Sequence, residues 1–157
     1  MIAELKGYEL IFRTSDALFL RALDGMTDEG ARRKPGNMNS PMWIAAHMTV
    51  TRGLFLGALG GKVDVAWAKH FQRGGEHVET AEWPSLADVR AKWSEIHAAF
   101  MTQLEKQTAE GVKAETPVPG LEPTMFGVIG LAAVHDSYHL GQLAMCRREL
   151  GLDRLVG

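Results

Sequence analysis

The chain has 157 residues, the size of one ordinary domain able to bury about two thirds of its unfolded surface. Seventeen basic against nineteen acidic side chains give a formal charge of -2, which offers no electrostatic footprint for a nucleic acid partner. The single cysteine, Cys146, excludes an intrachain disulfide framework and reads as a small buried hydrophobe in a reducing compartment.

The first helix is predicted over about Ile2 to Leu23, where Leu5, Tyr8, Phe12, Ser15, Phe19 and Ala22 or Leu23 keep a 3.6-residue beat. Glu4, Lys6, Glu9, Arg13 and Asp16 interrupt this stretch, so it has neither the core of a signal peptide nor a membrane span. The expectation is a cytoplasmic protein without a membrane partner. Asp24-Gly25 ends the helix, and residues 25–40 read as a loop with at most one short turn.

Ser40 as cap and Pro41 at the first helical position open a second helix, which runs to about Leu59 along Trp43, His47, Val50 or Thr51, and Leu54. Gly60-Gly61 ends it. Residues 62–84 form a long connection expected to pack its aromatics over one end of the domain, and a connection of that length often belongs to a site. The third helix starts at Ser85, with Asp88 completing a near capping box, and buries Leu86, Val89, Trp93, Ile96, Phe100 and Leu104. Residues 109–123 carry three prolines and predict an extended path. Thr124 caps the fourth helix, which Gly151 closes after Arg147 and Arg148. The whole of 1–157 therefore reads as one all-α domain, a four-helix bundle with long connections. One or more of those connections is expected to cross a bundle end.

His135 and His139 lie four apart, about 40° of rotation, with side chains starting about 5–6 Å apart on one helix face. That face also carries Val128, Leu131, Ala132, Gln142 and Cys146, so the imidazoles interrupt a core stripe. Burying two such groups without partners costs several kcal/mol, roughly, and a metal removes that cost. His47 falls on the apolar side of the second helix and offers a third nitrogen. The alternative is that each histidine makes an ordinary core or interhelix hydrogen bond.

NSPMWIAAHM, residues 39–48, and HDSYHLGQL, residues 135–143, together resemble the DinB-like family, also called DinB/YfiT-like, over essentially the whole chain. The resemblance implies a four-helix bundle holding a divalent metal ion through His47, His135 and His139, with Gly141-Gln142 continuing the last-helix signature, and a homodimer. Zn and Ni are the metals it implies. Some relatives are transferases or isomerases using low-molecular-weight thiols such as mycothiol, bacillithiol or glutathione, and others are described as hydrolases.

Around the triad, Trp43 is placed to wall a pocket, and Thr51, Tyr138 and Gln142 are pocket or supporting candidates. Tyr138 reads first as a core or interface residue, and Gln142 equally as plain helix packing. Asp136 points about 100° away from His135 and is not expected to share its metal. Cys146, about 10.5 Å of rise beyond His139, is too far to be a ligand beside it. His70 and His77 are expected to be exposed on the long connection, and His97 at the surface or a subunit contact. Trp83 and Trp93 are expected in core or interface.

A metal held by three neutral ligands keeps its full charge and open positions for a small-molecule substrate. Three functions follow: a metal-dependent enzyme transferring or adding a low-molecular-weight thiol to an electrophile, a hydrolase using metal-bound water, or a non-catalytic metal-binding stress-related domain. Only the loop residues Glu79 and Glu122 offer themselves as acid or base, which leans toward thiol activation.

Overall fold

Among the described residues, four long helices and one short one account for nearly all the regular structure. The structure, a computed structural model, describes residues 1–72, 74, 78–116 and 123–156. His77 and Glu122 lie outside the described residues.

Helix α1, Lys6–Ala22, follows a 3-10 turn at Ala3–Leu5, so the predicted start at Ile2 is a tighter turn before the α-helix. Phe12, Ser15, Phe19 and Ala22 are buried on the expected beat. Gly25, at φ 76°, supplies the left-handed conformation that turns the chain. Helix α2, Asp28–Arg32, is the short turn expected within 25–40, capped by Thr27, whose hydroxyl accepts from Gly30 N at 3.0 Å. Helix α3, Pro41–Ala58, begins as its sequence predicts, with Ser40 Oγ accepting from Trp43 N at 3.3 Å. Helix α4, Leu86–Glu105, has the full capping box of Ser85 and Asp88. Asp28 Oδ1 also accepts from Leu86 N at 2.9 Å, so α2 seats the start of α4. Helix α5, Met125–Glu149, is capped by Thr124 Oγ1, which accepts from Gly127 N at 3.2 Å.

Helix α3 packs against α4 and α5, and α1 packs against α5 and α4. Around the bundle the order is therefore α1, α4, α3, α5. The connections from α1 to α3 and from α4 to α5 each cross a bundle end diagonally, whereas 59–85 joins adjacent helices. The crossing before α5 is not simply extended: a 3-10 turn at Gly111–Lys113 precedes an isolated antiparallel bridge between Glu115 and Thr124.

Two sequence expectations about helix faces are corrected. Leu54, placed on the apolar side of α3, is 67% exposed. On α5 the buried stripe runs through Val128, Ala132, Asp136, Leu140 and Leu143 to Arg147; His139 is buried beside it, as the spacing predicts, while His135 is half-buried at its edge. Arg147 is not a solvated cation at a helix end. It is buried and donates to Ala22 O at 3.0 Å and Asp24 O at 2.6 Å, tying the end of α5 to the end of α1.

At the centre of the α5 stripe, Asp136 forms a fully buried ion pair with Arg52 of α3. The guanidinium lies 4.8, 4.8 and 4.7 Å from the ring centres of Phe12, Trp93 and Phe100, faces that attract a cation deprived of water. Burial lowers the Arg52 pKa to about 9, against the attraction of Asp16, and leaves it a cation at neutral pH. Arg52 Nη1 also donates to His97 Nδ1 at 3.4 Å. His97 is therefore not a surface residue; it is largely buried between Arg52 and Asp16, whose Oδ2 lies 3.9 Å from its Nε2. Asp16 Oδ1 accepts from Trp93 Nε1 at 2.9 Å, so polar contacts run from α5 through α3 and α4 to α1. Trp93 is core, as expected.

Removing one member of a buried pair strands the other charge, a loss of about 3–5 kcal/mol. Arg52→Met is expected to lower unfolding stability by that amount in urea titration, and a change below about 1 kcal/mol would contradict the buried-pair assignment.

Candidate metal centre

His47 stands in the second turn of α3, where the turn fixed by Ser40 and Pro41 presents it toward α5. His135 and His139 face it from near the midpoint of α5, not from a bundle end. One ligand atom from each of the three lies within 4.8 Å of those of the other two, and no other such cluster of three metal-binding side chains occurs among the described residues. The Nε2 atoms of His47 and His135 are 3.2 Å apart.

That spacing suits a shared cation. With metal–nitrogen distances of about 2.0–2.1 Å and tetrahedral angles, two ligand nitrogens stand about 3.3 Å apart. The second ring nitrogens agree. His47 Nδ1 lies 2.7 Å from the carbonyl oxygen of Phe71, which can only accept, so the proton is on Nδ1 and Nε2 keeps its lone pair. His139 Nδ1 lies 2.7 Å from Gln142 Oε1, with the same consequence. Imidazole nitrogens alone suit Zn, Ni, Cu or Fe and leave further coordination positions open.

Burial lowers the pKa of all three histidines. The Phe71 carbonyl partly opposes this at His47, and Gln142 at His139. At His135, burial is joined by His139, His47 and Arg52 and drives the value down to about 3. Each ring is thus held in the neutral form that a metal needs.

Trp43, a candidate pocket wall, stacks on His47 with ring centres 4.9 Å apart and planes 9° from parallel. Phe55, which sequence reasoning did not single out, turns its ring toward His135 at 6.0 Å. Gln142 touches His139 directly, and its Nε2 donates to Tyr138 Oη at 3.2 Å. Tyr138 is neither core nor part of the cluster: it is 63% exposed and reaches the histidines only through Gln142 and an edge contact with the His139 ring. Thr51 is half-buried one turn past His47, and among the described residues no hydrogen bond joins it to the cluster. Asp136 is not among the converging ligand atoms, as its direction on the helix predicts.

The long connection reaches the site through a backbone atom, the Phe71 carbonyl, which no residue-type pattern reveals. Its aromatic packing is nonetheless as expected: Phe71 and Trp83 are buried with ring centres 5.0 Å apart, and Arg32 lies over Trp83. His70 does not overhang the site; its Nε2 lies 2.8 Å from Glu82 Oε2, and most of its side chain is covered. Glu79 pairs with Arg32 at 2.8 Å, away from the histidines. Cys146 is buried and its thiol pKa is raised by burial, in keeping with a packing role.

Residues 11–143 match the family described as the DinB superfamily. The fold is similar to a crystal structure of a conserved protein from Enterococcus faecalis, with a TM-score of 0.75 at 16% identity, covering 96% of this chain and 98% of that one. No protein of curated function matches the sequence. Among the described residues no helix is long and apolar enough to cross a membrane.

Zinc added to metal-free protein is expected to bind once per chain by calorimetry. His47→Ala, His135→Ala and His139→Ala should each weaken it by more than the 10–100-fold typical of an outer partner. Unit stoichiometry surviving in the triple variant would remove the ligand assignment. The depressed pKa values also set a pH dependence. Below the ordinary value near 6.5 the unfolded chain takes up protons that the fold refuses, down to about 3 for His135. Metal-free protein should therefore lose stability as pH falls through that window and gain nothing from these groups above it. Urea midpoints at pH 7.5 and 5 test this, and the difference should shrink in His135→Gln.

Proposed function

The chain belongs to the DinB superfamily, and we propose that it binds a divalent metal ion, Zn or Ni, and with it adds or transfers a low-molecular-weight thiol to a small electrophilic substrate. The observation that carries this reading is the chemistry of the donor set. Three neutral imidazoles converge, and the nearest carboxylate, Asp136, is committed to Arg52. When bound there, a divalent cation supplies undiminished positive charge, which favours a thiol as its thiolate. The protein's part is orientation and exclusion: Phe71 and Gln142 aim two rings, while Trp43 and Phe55 screen the cluster with apolar faces. The thiol proton leaves to solvent, and the sulfur forms its bond to carbon as a leaving group departs or as an adjacent double bond takes up a proton. A hydrolase needs a free acid or base beside the site, and Asp136 and Glu79 are both paired with arginines. A thiol co-substrate and a single buried cysteine agree with a cytoplasmic setting.

We also propose a homodimer. Leu10 and Ile11 of α1 and Val134, Tyr138 and Met145 of α5 are exposed apolar side chains, and an open groove of about 660 Å³ runs between these helices. A contiguous apolar face of this kind suits a self-complementary contact with a second copy.

Two measurements test these readings. Zinc- or nickel-loaded protein incubated with glutathione, bacillithiol or mycothiol and an electrophile should consume thiol and adduct partner one for one. That turnover should fall at least about 100-fold in His135→Ala, a loss of roughly 3 kcal/mol in transition-state stabilisation. Full metal loading with no turnover on any pair would favour the non-catalytic reading, and hydrolysis without thiol the hydrolase. For the dimer, light scattering should give twice the chain mass for the parent and the monomer mass for a Val134→Glu, Met145→Glu double variant.

A further inference from the structure

The acceptor for His139 is Gln142 of its own helix, whereas the acceptor for His47 comes from a different part of the chain, the Phe71 carbonyl at 2.7 Å. The aim of His47 therefore depends on what keeps residue 71 in place. A carbonyl in a connection turns with its peptide unless the side chains around it are seated. The Phe71 ring is fully buried and packs on Trp83 with ring centres 5.0 Å apart, so two arms of the connection, 67–71 and 79–84, meet through these rings. Glu82 ties the arms a second time, its Oε2 lying 2.7 Å from Lys69 Nζ and 2.8 Å from His70 Nε2. Arg32 of α2 then fastens the second arm from outside. Its Nη2 donates to Pro84 O at 3.0 Å and lies 3.5 Å from Trp83 O, its Nη1 donates to Glu79 Oε1 at 2.8 Å, and the guanidinium stands 5.9 Å from the centre of the Trp83 ring.

We infer that Arg32 is a positioning residue for His47. From α2 it holds the backbone at Trp83 and Pro84, Trp83 seats the Phe71 ring, and the Phe71 carbonyl holds the Nδ1 proton of His47, which leaves Nε2 as the atom turned to His135. An exposed Arg–Glu pair by itself adds little to stability. A planar fork that serves backbone carbonyls as well fixes the course of the chain, which the point charge of a lysine does far less well. The short helix α2 thus helps to set the candidate metal centre without contributing an atom to the cluster. Asp28 of the same helix accepts from Leu86 N, so the arm is anchored where it enters α4 as well. The consequence for metal affinity rests on the proposed function, but the hold on His47 does not.

The test is the exchange of the His47 Nδ1 proton with solvent, followed by NMR of nitrogen-15-labelled, metal-free protein at neutral pH, with zinc affinity measured alongside by calorimetry. In Arg32→Met that exchange is expected to be at least about tenfold faster while the backbone amides of Phe12 and Trp93 keep their rates, a split that a loss of overall stability does not produce. Glu79→Gln, which removes the exposed ion pair and leaves the carbonyl contacts, should change the exchange by less than about threefold. Arg32→Met should also weaken zinc binding by about three- to tenfold, less than the 10–100-fold typical of a direct outer partner, and by less than about twofold in a His47→Ala background. An unchanged His47 proton in Arg32→Met, an acceleration shared equally by the core amides, or an unchanged affinity in protein that does bind zinc would overturn the inference. Faster exchange in the variant of a protein that takes up no zinc leaves the positioning role standing and removes the metal-dependent function.

Discussion

Arg52 and Asp136 face each other inside the bundle, one from α3 and one from α5, where water does not reach either. A charge pair so placed has little to gain from stability alone, because the desolvation of both groups offsets their attraction. Its strength is in geometry. The pair is satisfied only at one register of α3 against α5, and a slip of one turn strands two charges in apolar surroundings. His47 lies five residues before Arg52, and His135 is next to Asp136, so the register that pairs the charges is also the one that brings the imidazoles together.

Around that constraint the rest of the bundle supplies walls and ties. The aromatic side chains of α1 and α4 enclose the guanidinium, Trp93 and His97 connect it to Asp16, and Arg147 fastens the far end of α5 to the carbonyls that end α1. The histidines occupy the rim of this interior. Burial there is deep enough to keep the rings neutral, yet the His135 side chain remains 17% exposed, so a small ion or ligand has an approach from solvent.

The groove of about 660 Å³ lies elsewhere, between α1 and α5, where Tyr138 turns one edge to His139 and its exposed face to the groove. The two faces of α5 are therefore divided. One carries the histidines toward α3, and the other carries Val134, Tyr138 and Met145 outward. A single helix thus joins the candidate metal centre to the surface proposed for a second copy.

Most of the helical architecture was legible along the chain, because caps and hydrophobic beats are local. Ser40-Pro41, the Ser85 and Asp88 pair and Thr124 start their helices within a residue of expectation. The spacing of His135 and His139 was likewise readable, since four residues on a helix define one face. What the sequence could not express is rotation and partnership. A shift of some tens of degrees about the α5 axis made Asp136 the centre of the buried stripe and left His135 half-buried at its margin, and no pattern of residue types distinguishes those two settings. No local pattern marks Arg52 for burial, and the place of His97 off the apolar stripe of its helix predicts the surface or a subunit contact. Only three rings, a carboxylate and a neighbouring helix assembled together make the interior tolerable for a cation. The Phe71 carbonyl is common to every residue and so carries no signal at all. Local chemistry determined the helices and the spacing of the imidazoles along them; the packing of α3 on α5 decided that the three rings converge, because a shared centre exists only between elements distant in the chain.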